Sequence, residues 1–203
     1  MSTARDLLIV VIDVMSGHPV EPGNLSLALA GAELIDLLQA QAVRLDGEQI
    51  VPTGRPAPGD RLLEGASSSL VRQAPYESVD AWLWRRGRGL AMVYVSGLQT
   101  EGELTRQPSR HRNPFRTGLL VLADSPARDE ATARWESEEP VLAELAIALG
   151  IRDRRTTLPP GAVDDSVAAV LAAVEDAEHQ LELERQRRAI EEAAYDNVWR
   201  DPQ

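Results

Sequence analysis

Cysteine is absent from this chain of 203 residues. Disulfides, thiol nucleophiles, zinc fingers and thiolate iron–sulfur clusters are therefore excluded. Lysine is absent too: all 21 basic residues are arginine. The pattern fits GC-rich codon usage, yet it makes every side-chain cation a planar fork suited to phosphate or carboxylate. Aromatic residues make up only 4%, and the three histidines, His18, His111 and His179, are scattered. That leaves little room for a histidine-built metal site. No apolar run approaches the ~18–20 residues that span a bilayer, so no membrane-spanning helix is expected. The longest candidate, Leu7 to Ile12, lacks a basic flank and a small-residue cleavage site, so no signal peptide is expected either. What remains is ordinary for a soluble globular protein, with 43% hydrophobic and 26% charged residues.

The charge is unevenly spread. Net charge is −11, so indiscriminate binding to polyanions is not expected. Between Trp82 and Thr117, however, seven arginines (Arg85, Arg86, Arg88, Arg106, Arg110, Arg112, Arg116) face two acids, Glu101 and Glu103. That segment carries +5, against −16 for the rest.

Periodicity predicts a mainly α protein, a compact helical globule with two small β-hairpins. The run Leu7–Ile12 is a buried helix or a strand; at this length pattern does not decide. His18-Pro19 and Glu21-Pro22-Gly23-Asn24 read as loop. A helix follows from about Leu25 to Ala42, with Leu27, Gly31, Leu34, Ile35 and Leu38 on one face. Asp46-Gly47 between two alternating apolar runs predicts a hairpin over 43–51. Pro52 to Asp60 reads as loop. Asp60 caps a helix that Pro75 stops, and Ser78 caps the next. Gly87 and Gly89 separate that helix from one starting at Leu90, which Gly102 ends. A second hairpin is expected at about 103–123. Helix, break and hairpin thus occur twice, a weak repeat of architecture. Pro140 to Gly150 is a short helix. A last long helix, capped by Asp164 or Asp165, runs from Val167 to about Val198. Its first half carries an apolar stripe; from Glu182 it reads as a solvated helix or a frayed end.

Catalytic patterns are poor. There is no HExxH, no G-x-S-x-G and no paired-histidine spacing. Gly87-Arg88-Gly89 has Met92 where a third nucleotide-loop glycine would stand, and no P-loop lysine exists. Asp13 and Asp124 read as helix caps rather than general bases. No catalytic residue, metal, nucleotide or other cofactor is expected. Trp82 and Trp84 precede Arg85 and Arg86, a composition suited to a phosphate-headgroup surface; the competing reading places Trp82 in the core with Trp84 packed beneath its neighbours. The second basic group, with Pro114 and Phe115, adds an apolar element to the hairpin tip.

Four stretches in order, Leu29–Leu38, Ala57–Leu63, Glu77–Leu83 and Leu98–Thr105, resemble the Golgi phosphoprotein 3 family. Phe115-Arg116-Thr117 and Leu122–Pro126 are similar to its short bacterial branch. The resemblance covers about residues 5–150 and fades beyond Gly150. It implies one domain, with its core in 1–150 and a C-terminal helical part in 151–203. It further implies a non-enzymatic peripheral membrane protein on the cytoplasmic side. Eukaryotic members bind phosphatidylinositol 4-phosphate and the cytosolic tails of glycosyltransferases. The family's headgroup pocket uses a Trp and three Arg. Here the loop Gly17–Asn24 has no Trp, Ala30 and Ala91 stand at two of the Arg places, and Arg88 matches the third. The expected headgroup-binding residues are Arg85, Arg86, Arg88, Arg110, Arg112 and Arg116, with Trp84 and Phe115 as membrane-interface aromatics. The expected partners are an anionic phospholipid surface and cytosolic tails of membrane proteins, not nucleic acid. A winged-helix DNA-binding regulator is the alternative, since helix-then-hairpin twice over also fits it. Against that, the helices Leu25–Ala42 and Leu90–Glu101 lack the cations that base contacts favour.

Overall fold

A computed structural model describes residues 2–14, 20–56, 59–107, 119–152 and 161–200, with backbone alone at 106, 107, 119 and 194–200. Within them lie eight helices and two antiparallel two-stranded sheets, the architecture expected from periodicity. The helices are α1 (Thr3–Val14), α2 (Pro22–Gln39), α3 (Arg61–Ser68), α4 (Val79–Arg86), α5 (Leu90–Thr100), α6 (Pro126–Glu136), α7 (Pro140–Ala148) and α8 (Asp165–Arg200). Strands β1 (Val43–Asp46) and β2 (Gln49–Pro52) follow α2; β3 (Leu104–Gln107) and β4 (Leu119–Leu122) follow α5.

The centre of the molecule is α2. Every residue from Leu25 to Leu37 is buried, and α1, α3, α4, α5, α7 and α8 all pack on it. The expected single apolar face is therefore incomplete. A helix apolar all round is a core helix, and this one is enclosed on every side. Its start also lies earlier than expected, because Pro22, Gly23 and Asn24 form its first turn. Proline fits there because the missing N–H has no intrahelical partner at that position. The run Leu7–Ile12 resolves to helix: α1 is buried from Leu7 to Val11 against α2, α6 and α7.

Several local signals hold. Asp60 accepts from the backbone N–H of Leu62 and Leu63 and opens α3; Ser78 accepts from Ala81 N–H and opens α4. The first hairpin pairs Asp46 with Gln49 across Gly47-Glu48, and Gly47 takes φ +58°. Gly102, at φ +79°, follows α5. Helix α3, in contrast, ends at Ser68 instead of running toward Pro75. No separate helix was expected where α6 lies. Only Ala131 of it is buried, so it has no apolar periodicity to read; Ser125 caps it, accepting from Arg128 N–H at 3.3 Å. The tip of the second hairpin, with Arg110, Arg112, Phe115 and Arg116, lies outside the described residues.

Where α2 crosses α8, Gly31 allows the close approach. A Cβ built there would stand 2.3 Å from Val174 Cγ2. Valine is stiff at χ1, so the clash cannot be relieved by a rotamer change. Gly31→Ala is expected to destabilise the fold by about 1–3 kcal/mol despite its better helix propensity. Urea denaturation measures this, and Val174→Ala in the same chain should recover most of the loss.

Candidate functional site

The basic segment begins at the corner between α4 and α5. Ser78 starts α4, so Trp82 faces the core. Trp82 is fully buried, and its Nε1 donates to the Ala30 carbonyl of α2 at 3.0 Å. Trp84 is half-buried and donates to Asp80 Oδ1 at 3.1 Å. Gly87 then ends α4 where the chain grazes α2. A Cβ there would lie 2.6 Å from the Leu83 carbonyl oxygen and 3.2 Å from that of Ser26. Gly89, at φ +70°, turns the chain into α5. Ser26 Oγ accepts from Ala91 N–H at 3.1 Å and donates to the Pro22 carbonyl, joining the first turns of α2 and α5.

The three arginines of the corner have different fates. Arg85 lies over the Trp82 ring, 5.3 Å from its centroid, and its fork donates to both oxygens of Glu77 at 2.7 Å. Arg86 turns inward. Its Nε and Nη2 donate to Glu33 at 2.7 and 2.8 Å, and Tyr94 OH donates to the same carboxylate at 3.1 Å. Glu33 is fully buried. Burial raises its pKa, while the Arg86 and Tyr94 bonds pull it back in part. Tyr94 is pushed well above the ordinary phenol range by burial and by the Glu33 charge. Arg88 is exposed, and no hydrogen bond or ion pair among the described residues engages it. One turn on, Met92 and Val93 are 58% and 49% exposed.

Of the expected headgroup ligands, then, Arg88 alone in this corner faces solvent uncommitted among the described residues. Arg86 is held by an internal carboxylate, which conflicts with a role as a free surface fork. Arg85 is shared with Glu77. Ala30 and Ala91, at the two family arginine places, are both buried.

Sequence reasoning missed the buried acids. Glu33 and Asp36 sit three apart inside α2. Asp36 accepts from Ser2 Oγ at 3.1 Å and from Thr3 N–H at 3.0 Å, holding the first turn of α1. Asp6 of α1 is likewise paired to Arg134 of α6. The signal was available: two acids within a long apolar helix without a single cation must find partners elsewhere.

Fold and corner together define an all-helical globule, minor hairpins aside, organised by ion pairs inside its core. Among the described residues no three metal-ligating side chains come together, and no helix is long and apolar enough to cross a membrane. The family model for Golgi phosphoprotein 3 (GPP34) matches residues 4–196, and the chain belongs to that family. The match runs past Gly150, so the family resemblance extends through most of α8. The family is not known as one of enzymes. No curated protein matches the chain.

Arg86→Ala is expected to destabilise the protein by about 3–5 kcal/mol at pH 8, because it strands a buried carboxylate. Burial already raises Glu33, and loss of Arg86 raises it further, so folding of the variant then favours proton uptake. The deficit should shrink from pH 8 to pH 5 in urea titrations.

Proposed function

We propose that the protein is a peripheral membrane protein that binds anionic phospholipid headgroups through the corner opening α5 and the basic segment that follows. Family membership also supports an adaptor role toward cytosolic tails of membrane proteins, which is part of the same reading. The observation that carries it is the juxtaposition of an uncommitted Arg88 with exposed Met92 and Val93. A guanidinium takes phosphate bidentately. Apolar side chains beside it enter the headgroup–acyl boundary, as on interfacial helices. The half-buried Trp84 has the amphipathic character that suits this depth. The surrounding +5 segment in an acidic chain supplies a one-sided field that orients the molecule.

Arg85 and Arg86 contribute less than their number suggests, since Glu77 and Glu33 neutralise them locally. With Ala30 and Ala91 buried, recognition rests on surface charge and not on an enclosed pocket for one phosphoinositide.

Vesicle co-sedimentation tests this. Wild type should bind vesicles containing phosphatidylglycerol at low salt and release at 1 M salt, where the Debye length is about 3 Å. Phosphatidylinositol 4-phosphate at matched charge should bind no more tightly. Arg88→Ala should weaken binding roughly fivefold, on a scale of about 1 kcal/mol per basic residue near the surface. Met92→Ser with Val93→Ser should weaken it further. Arg187→Ala with Arg188→Ala, on exposed α8 among Glu182, Glu184, Glu191 and Glu192, should leave it unchanged. Indifference of the wild type to anionic vesicles, or tighter binding to duplex DNA, contradicts the proposal.

A further inference from the structure

The basic segment holds two acids, Glu101 and Glu103, and one cation from outside it reaches both. Glu101 caps the end of α5, and Glu103 immediately precedes β3. Arg5 of α1 donates from Nη2 to Glu101 Oε2 at 2.5 Å, and the same nitrogen stands 3.9 Å from Glu103 Oε1. Glu103 also accepts from the Oγ of Ser125, the residue that caps α6. Its backbone closes the root of the second hairpin. The Glu103 N–H donates to the Leu98 carbonyl at 2.9 Å, and its own carbonyl accepts from Ala123 N–H at 2.8 Å. The returning strand is tied down as well. Arg128 of α6 donates to Asp124 at 2.9 Å and to Asp13, near the far end of α1, at 2.7 Å.

By its own contacts Arg5 stabilises little. Its Nε is buried with no hydrogen-bond partner, and a donor in that state costs free energy. The side chains of Arg5 and Glu101 are 21% and 34% exposed, so their attraction is partly screened by water. What the contact supplies is direction. A guanidinium set beside both carboxylates fixes where α5 ends and β3 begins relative to α1. It also offsets the negative charge at the root of a segment whose other charged residues are all arginines.

We infer that Arg5 is a positioning residue for membrane binding. It sets the direction in which β3 and β4 leave α1, and so aligns the hairpin arginines with the Arg88 corner at the opposite end of α5. Arg5 itself contacts no lipid. The inference rests on the membrane reading above, and it makes α1, which carries none of the expected headgroup ligands, the part that joins the two halves of the basic surface.

Co-sedimentation of the full chain with phosphatidylglycerol vesicles at low salt tests this, with thermal melting beside it. Arg5→Met keeps the aliphatic stem and removes the fork. It should bind roughly fivefold more weakly than wild type, the scale of one basic charge near an anionic surface, while melting close to wild type. Arg5→Lys should recover most of the affinity. Arg5→Met with Glu101→Gln restores the net charge but should stay as weak as Arg5→Met, because alignment is what is lost. Arg187→Met, which breaks an arginine–glutamate pair on α8, should bind as wild type. The absence of cysteine allows a direct readout. Spin labels at Thr105→Cys and Glu136→Cys should give a narrow distance distribution in an otherwise wild-type chain. The distribution should broaden with Arg5→Met, and also with Glu101→Ala, which leaves Arg5 in place. A wild type indifferent to anionic vesicles defeats the membrane reading and this inference with it. If the wild type binds, three results overturn the inference alone: equal binding by Arg5→Met, full binding by the charge-restored double variant, or an unchanged label distance in both altered chains.

Discussion

The Glu33–Arg86 pair is the constraint on which the arrangement of helices depends. Helix α2 is enclosed by six others, and hydrophobic burial alone is non-directional. It would accept several rotations of α2 about its axis. The two internal carboxylates remove that freedom. Glu33 is reached by Arg86 from α4 and Tyr94 from α5. Asp36 is reached by Ser2 and the opening N–H groups of α1. Only one rotation of α2 satisfies both sets. A buried pair of this kind is poor evidence for net stability, because desolvation offsets much of the attraction. What it supplies here is register among α1, α2, α4 and α5.

That register reaches the surface. With Arg86 drawn inward to Glu33 and Trp82 bonded to Ala30, the end of α4 is tied to α2 at two points. Only glycine fits at 87, because a Cβ there would meet the carbonyl oxygens of Leu83 and, on α2, of Ser26. The chain therefore leaves α4 in a fixed direction and presents Arg88, then Met92 and Val93, on one outward corner. A run of basic residues that looks uniform in one dimension becomes three different groups in space. One completes the core, one braces α4 against Glu77, and one faces solvent.

Much of the fold was legible because its signals are local. Asp60 and Ser78 have short polar side chains that cap the helices beginning beside them. Gly102 and Gly150 take positive φ at helix ends, and Asp46-Gly47 sits at the turn of the first hairpin. Helix α6 was not legible, since its partners depend on charge: Arg134 pairs with Asp6 across the molecule, a separation no window captures. The position of Arg88 was legible, but the commitment of Arg86 was not. The choice between a solvated guanidinium and an internal one depends on which carboxylate α2 brings near, and that is tertiary information.

A double-mutant cycle in urea at pH 8, with Glu33→Leu, Arg86→Leu and the combined variant, bears most directly on this account. If the pair sets the register of α2, Arg86→Leu alone should be severely destabilising, by about 3–5 kcal/mol. The combined variant should be clearly more stable than Arg86→Leu, giving a coupling of at least about 1 kcal/mol. Additive losses would mean that Glu33 and Arg86 act independently, and the account of how this core is organised would be wrong.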